Sequence, residues 1–213
     1  MHSSAAVASA SNPSFNPNEL DSIKSYLNPL IAFQYEPGST MKIYSWLASM
    51  ENNQYNGKAT YKSGTIKVDD ATIKDFNGRG WGTITFDEGF SWSSNTGATN
   101  LGLKLGRDKL YDYYKSLGFG KKTGLSLPNE LPGDINFVYR TEVATASFGQ
   151  GITTTPVQNI QALTLLANDG IELQPYIVEK TVNSETKEVI YQHERTELGR
   201  KASSENSSPR WSC

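Results

Sequence analysis

Apolar residues recur at helical spacing along several stretches of this chain and alternate at strand spacing along others. Ile43, Leu47 and Met50 stand at i, i+4 and i+7, which predicts a helix from Ser39 to about Met50 with one buried stripe. Pro37 and Gly38 form a turn ahead of it, and Ser39 falls where a helix N-cap is expected. Further helices are expected from about Thr96 to Leu105, stopped by Gly106, and from Arg107 to Leu117, stopped by Gly118. The clearest period lies between Thr155 and Asp169. Thr155 reads as its N-cap, Pro156 as its first residue, and Val157, Ile160, Leu163, Thr164 and Ala167 as its buried face. Nearer the start, Leu20, Ile23, Leu27 and Leu30 keep a helical period from Glu19 until Pro29 cuts it, which predicts a short helix and then a loop.

Strand patterns fill the remainder. Thr65–Val68 and Ala71–Asp75 alternate on either side of Asp69-Asp70, a hairpin. Ile84-Thr85-Phe86 leads into a short helix through Phe90, and residues 5–11, 171–179 and 187–192 read as further strands. Asn12 to Asn18, with two prolines, is a turn-rich loop. From Lys201 onward no apolar period survives, and serine makes up much of the stretch. The expected organisation is therefore one α/β (α+β) domain over 1–200 and a disordered tail over 201–213.

Composition narrows the classes of function. A net charge of -2, from 20 basic and 22 acidic residues, leaves no basic footprint for nucleic acid. The chain has no 18-residue apolar run for a transmembrane helix, and its opening lacks the charged and apolar regions of a signal peptide. One cysteine, Cys213, excludes a disulfide framework, and with only His2 and His193 beside it neither a metal site nor a cofactor is expected. His193 precedes a polar stretch, so a Ser-His-Asp triad is not expected either.

Two stretches carry candidate chemistry. In Tyr35-Glu36-Pro37-Gly38-Ser39-Thr40-Met41-Lys42, Ser39 and Lys42 are three apart, so on a helix they share a face. An amine beside a hydroxyl at the positive end of a helix is a way to activate a serine nucleophile, provided that the lysine is desolvated. Trp46, on the same side of the wheel, would exclude water from the pair. The spacing alone decides nothing: Ser184 and Lys187 share it in a polar stretch that reads as a hairpin turn, and a cap with a solvated lysine satisfies it equally. In Phe90-Ser91-Trp92-Ser93-Ser94-Asn95-Thr96-Gly97, Ser93 and Asn95 are two apart and could point the same way, to relay a proton and hold a carbonyl; a polar loop ahead of a capped helix reads identically.

Taken in order, these stretches resemble the transpeptidase domain of penicillin-binding proteins, whose motif set begins with S-x-x-K and S-x-N. Gly118 to Glu130 is similar to that family's mid-domain connector. Ser147-Phe148-Gly149-Gln150-Gly151, with Thr155-Pro156 and Ala167-Asn168-Asp169-Gly170, is similar to its late helix. The resemblance covers roughly residues 5–195 and favours the monofunctional, class B branch. It implies the penicillin-binding-protein/serine β-lactamase-like fold, with helices packed on an antiparallel sheet. It also implies that Ser39 is acylated by the D-Ala-D-Ala end of a peptidoglycan stem peptide or by a β-lactam. Lys42 would take the Ser39 proton, Ser93 would pass a proton to the leaving group, and Asn95 would bind the substrate amide while contacting Lys42. The protein would act at the outer face of a bacterial cell membrane, anchored there and associated with cell-wall synthesis machinery. A serine β-lactamase or a non-catalytic β-lactam sensor of the same fold is the alternative.

The family's third motif, K-T-G or K-S-G on a strand after the late helix, is missing in that order. Lys122-Thr123-Gly124 falls in the connector and Lys62-Ser63-Gly64 between the first two motifs, so both read as look-alikes. The expectation is a domain truncated near Leu198 to Arg200, short of several strands, and nearly inactive by itself.

Overall fold

The computed structural model describes residues 4–207 apart from positions 13, 15, 17, 20 and 22. Helix α1 spans only Pro29–Ala32, with the Asn28 side chain accepting from the Leu30 N–H at its N-terminus. Pro29 thus starts a helix instead of cutting one, because proline's fixed φ and missing N–H suit the first helical position. Leu20 lies outside the described residues. A 3-10 turn, Gly38–Met41, then runs into helix α2, Lys42–Glu51. Ser39 is inside that turn and is not a helix N-cap.

Expected as an amphipathic helix, α2 is buried nearly all round: Lys42, Tyr44, Ser45, Trp46, Leu47, Ala48 and Ser49 are all inaccessible. It lies between two apolar clusters, so no side of it faces water at length. Tyr44 and Leu47 join Leu110, Tyr114, Leu117, Phe119 and Phe137 in one cluster. Trp46 joins Val68, Ile73, Ala98, Leu101 and Phe148 in the other. Ser49 survives in this interior because its hydroxyl donates to the Ser45 carbonyl one turn back, and Ser45 because its hydroxyl donates to the Ser147 carbonyl at 2.5 Å and meets Tyr114 Oη at 2.7 Å.

Strands β1 (Thr60–Lys62) and β4 (Thr83–Thr85) enclose a hairpin of β2 (Thr65–Val68) and β3 (Ala71–Lys74), paired Thr65 to Lys74 through Val68 to Ala71. Helix α3 (Phe86–Ser91) follows with a Thr85–Glu88 capping box. Then come α4 (Asn95–Leu105), α5 (Arg107–Ser116), α6 (Arg140–Ala146) and α7 (Pro156–Ala167). The caps at Thr155 and Pro156 are as expected, but the buried face of α7 is not. Val157, Gln158, Asn159, Gln161, Ala162 and Leu165 face inward, whereas Ile160 and Leu163 are exposed. The inward amides are hydrogen-bonding posts: Gln158 donates to Lys121 O and Pro132 O, and Asn159 to Thr154 Oγ1.

The strands form four antiparallel pairs among the described residues and do not join into one sheet. Strand β5 (Ile171–Leu173) pairs with β8 (Glu197–Arg200), and β6 (Lys180–Val182) with β7 (Val189–Gln192). Ser184 and Lys187 occupy the β6–β7 turn, where Lys187 Nζ donates to the Ser184 carbonyl. Of residues 5–11, only Ala5 bridges another segment, at Tyr176.

Residues 201–207 differ from the disorder expected of them. Ala202 is buried, the Ser203 N–H donates to Glu51 Oε1 at 2.9 Å, and Ser204–Ser207 form a one-turn helix, α8. Residues 208–213 of that expected tail lie outside the described residues. Among the described residues no helix is long and apolar enough to cross a membrane, and no cluster of His, Cys, Asp and Glu is placed to hold a metal ion.

Candidate active site

The chain ahead of Ser39 is fixed from outside. Tyr35 and Thr154 exchange backbone hydrogen bonds at 3.0 and 2.9 Å, and Glu36 Oε1 accepts from Gly151 N. The Gly38 N–H donates to Gly149 O at 3.0 Å. Gly38 and Gly149 both have positive φ, 57° and 81°, and a Cβ on Gly149 would lie 2.2 Å from the Gly38 carbonyl oxygen. Glycine is required at Gly149 by both conformation and contact, and is favoured at Gly38 by conformation alone. The result is an exposed Ser39 at the mouth of a helix whose next turn is interior.

Lys42 supplies the buried half, only 3% exposed. Its Nζ lies 3.2 Å from Ser39 Oγ and 3.0 Å from Ser93 Oγ, and donates at 2.5 Å to the Ser93 carbonyl. Burial pulls the Lys42 ammonium down to about 8, with the negative charge of Asp75 acting in the opposite sense. The desolvation that a lysine base requires is present. Trp46, one turn further on, is fully buried with its ring 5.4 Å from that of Phe90.

Ser93 comes from the loop between α3 and α4. Its own N–H donates to Phe90 O, and its φ of 54° is unusual for a residue with a side chain. That conformation points carbonyl and hydroxyl together at Lys42. Ser94 follows as the N-cap of α4, accepting from Gly97 N at 2.9 Å.

Asn95 differs from expectation in one respect. Its Nδ2 donates to the Lys74 carbonyl at 2.9 Å, and no hydrogen bond joins it to Lys42 among the described residues. It sits in the first turn of α4, which ties the amide to the β3 end. Asp75 went unnoticed in the sequence. It accepts from Gly64 N, Thr96 N, Thr96 Oγ1 and Ser94 Oγ, and no motif spacing marks it, because its partners are up to 21 positions away.

Both K-[ST]-G look-alikes are committed to structure. The Thr123 N–H and hydroxyl and the Gly124 N–H all donate to Glu130, while Ser63 Oγ donates to Gly82 O and accepts from Trp81 N.

A desolvated amine joining an exposed serine to a second serine hydroxyl is the arrangement that serine acyl transfer of the Ser–Lys type requires. The family model of the penicillin binding protein transpeptidase domain matches residues 2–208, and the chain belongs to that family. It is 35% identical to Stage V sporulation protein D of Bacillus subtilis over 189 residues, 85% of this chain and 29% of that protein. Peptidoglycan D,D-transpeptidase FtsI of Escherichia coli K12 is 29% identical over 170 residues, with 78% and 29% covered. Among solved structures, penicillin binding protein 2X of Streptococcus thermophilus aligns with TM-score 0.79 and 33% identity, over 86% of this chain and 27% of that one. The ampicillin complex of penicillin binding protein 3 of Mycobacterium tuberculosis aligns at TM-score 0.75 and 26% identity, over 84% and 40%. The chain thus spans less than a third of the length of the first relatives it matches.

Proposed function

We propose that this chain carries the nucleophile half of a peptidoglycan D,D-transpeptidase site, which cross-links stem peptides through an acyl-serine. The observation that carries the reading is the single amine, Lys42 Nζ, within hydrogen-bonding distance of both Ser39 Oγ and Ser93 Oγ. A neutral amine has two N–H donors and one lone pair. With the donors on the Ser93 carbonyl and hydroxyl, the lone pair is left for the Ser39 proton. Ser39 Oγ attacks the penultimate D-Ala carbonyl as that proton passes to Nζ. The proton then passes by way of Ser93 Oγ to the departing D-Ala nitrogen as the C–N bond breaks. The amine of a second stem peptide attacks the ester and gives its proton back along the same path, which frees Ser39. The Ser39 N–H, at the start of a helix, is one donor to the oxyanion. Asn95, its Nδ2 held by the Lys74 carbonyl, offers Oδ1 to accept from the substrate amide beside this path. A β-lactam follows the first half and leaves a penicilloyl ester.

The names of the relatives favour this reading over a serine β-lactamase or a sensor, and the likeness of this chain to FtsI and Stage V sporulation protein D supports the class B branch. In the whole protein we place the site at the outer face of the cell membrane, anchored and working with the cell-wall synthesis machinery. With Thr123 and Ser63 both committed to structure, neither look-alike is available to hold the substrate carboxylate. Intact-mass and peptide analysis after long exposure to penicillin should find one adduct, on Ser39, absent from Ser39→Ala. An adduct that persists in Ser39→Ala, or no adduct on Ser39 at saturating drug, would refute the assignment.

A further inference from the structure

Convergence of Ser93 on Lys42 depends on the left-handed backbone at Ser93, a conformation that is unfavourable for an L-residue and must be imposed by its surroundings. The segment that follows Ser93 packs against the end of the β2–β3 hairpin. The Asp75 carboxylate is 2% exposed and carries no ion pair among the described residues. A buried charge of that kind persists only if its lone pairs are filled. They are: Oδ1 accepts from Thr96 N at 2.9 Å and Ser94 Oγ at 3.0 Å, and Oδ2 from Gly64 N at 2.7 Å and Thr96 Oγ1 at 2.9 Å. Three of these four donors belong to the two residues on either side of Asn95. The neighbouring Lys74 carbonyl takes the Asn95 amide, so one end of the hairpin grips the segment that follows Ser93. Burial pushes the Asp75 carboxyl up, but the donors from Thr96, Gly64 and Ser94 outweigh it and hold it below the usual carboxylate range.

We propose that Asp75 is the positioning residue of this site: its carboxylate locks the Ser93–Thr96 turn so that the Ser93 carbonyl and hydroxyl converge on Lys42. Among the described residues Asp75 makes no hydrogen bond to Ser39 or Lys42; apart from its charge, which opposes the effect of burial on Lys42, it acts through the turn. The catalytic part of this inference rests on Ser39 as nucleophile and Lys42 as its base; the conformational part does not. The chemistry requires a carboxylate. Each oxygen takes one backbone N–H and one hydroxyl. The hydroxyls can rotate away from a new donor, but the N–H groups of Gly64 and Thr96 cannot. In Asp75→Asn, whichever way the amide faces, its NH2 meets one of those N–H groups.

The test uses the 213-residue chain and two readouts. The intraresidue HN–Hα NOE of Ser93, strong when φ is positive, reports the turn directly. The concentration dependence of Ser39 acylation by penicillin separates the acylation rate constant from the dissociation constant. Read above the Lys42 pKa, where loss of the Asp75 charge no longer changes the neutral fraction of the amine, Asp75→Asn should weaken that NOE and lower the rate constant on the order of 10²-fold, the scale of a misplaced catalytic group, with the dissociation constant nearly unchanged. Thr96→Val, which removes one hydroxyl donor and spares the backbone, should give a smaller loss of the same kind; it serves if Asp75→Asn does not fold. Asp69→Asn, which removes the ion pair with Arg140 at the opposite end of the hairpin, should leave both readouts alone. A strong Ser93 NOE and a wild-type rate constant in folded Asp75→Asn or Thr96→Val would make Asp75 a structural residue only. If the wild type is not acylated at Ser39, the nucleophile reading fails by itself, and the NOE still decides whether Asp75 holds the turn.

Discussion

At the scale of the residue, the site is an exposed hydroxyl backed by a buried amine. Because burial holds Lys42 near 8, most of it is protonated at neutral pH and only the neutral fraction can accept the Ser39 proton. The rate of Ser39 acylation should therefore rise about tenfold per pH unit below that value and level off above it. A flat profile between pH 6 and 9 would show that Lys42 is not the base. Lys42→Arg should abolish acylation, since a guanidinium stays protonated throughout. Stability follows the sign of the same shift. The folded chain binds fewer protons than the unfolded one between about 8 and the usual lysine range, so stability rises with pH across that window. Little of this was readable in the spacing. Ser184 and Lys187 have it too, yet there the amine bonds a backbone carbonyl in an exposed turn. What distinguishes Ser39 is the burial of Lys42 and the approach of Ser93 from 51 positions away, both products of tertiary packing.

At the scale of the element, helices bounded by proline and glycine were legible, whereas the helix at Arg140–Ala146 and the orientation of α7 were not. Pro156, Gly106 and Gly118 mark ends by local backbone chemistry, and the structure agrees with them to within a residue or two. The inward face of α7 was misread because hydrophobicity cannot identify amides that serve as hydrogen-bonding posts, such as Gln158 and Asn159. The contact of Gly38 with Gly149 likewise joins two elements, and it carries a prediction. Gly149→Ala sets a methyl 2.2 Å from the Gly38 carbonyl at a positive φ, so the turn bearing Ser39 must shift. Denaturant unfolding should register a loss on the order of 1–3 kcal/mol, and acylation should fall well beyond what that loss explains. Gly78→Ala is the comparison: its φ is also positive but nothing lies within 4 Å, so it should cost stability modestly and spare acylation. Equal acylation in the two variants would show that the clamp does not position Ser39.

At the scale of the molecule, the segment after β8 closes back over the helices. Lys201 N donates to Gly170 O, Ala202 enters the main core and Ser203 caps onto Glu51 at the end of α2. Its serine-rich composition concealed this, because the closure uses backbone groups and one small apolar residue and needs no apolar period. At the seam lies Glu172, buried on β5, with Gln161 of α7 donating to it at 3.2 Å and Lys201 Nζ at 3.8 Å. Burial pushes its carboxyl up to about 7, against the opposing pulls of Gln161 and Lys201. The folded state thus prefers the protonated form more than the unfolded state does. The associated stability is complete below the ordinary glutamate range and is lost as pH rises through about 7. From the size of the shift, the loss between pH 4.5 and 8 is on the order of 2–3 kcal/mol. Glu172→Gln is neutral throughout and keeps an oxygen for Gln161, so it should remove that slope and be the more stable protein at pH 8. Urea unfolding of both proteins at several pH values checks this through the difference between them, in which groups common to the two cancel. Parallel curves across that range would mean that Glu172 is already ionised in the fold, with Lys201 strong enough to hold its charge at the seam.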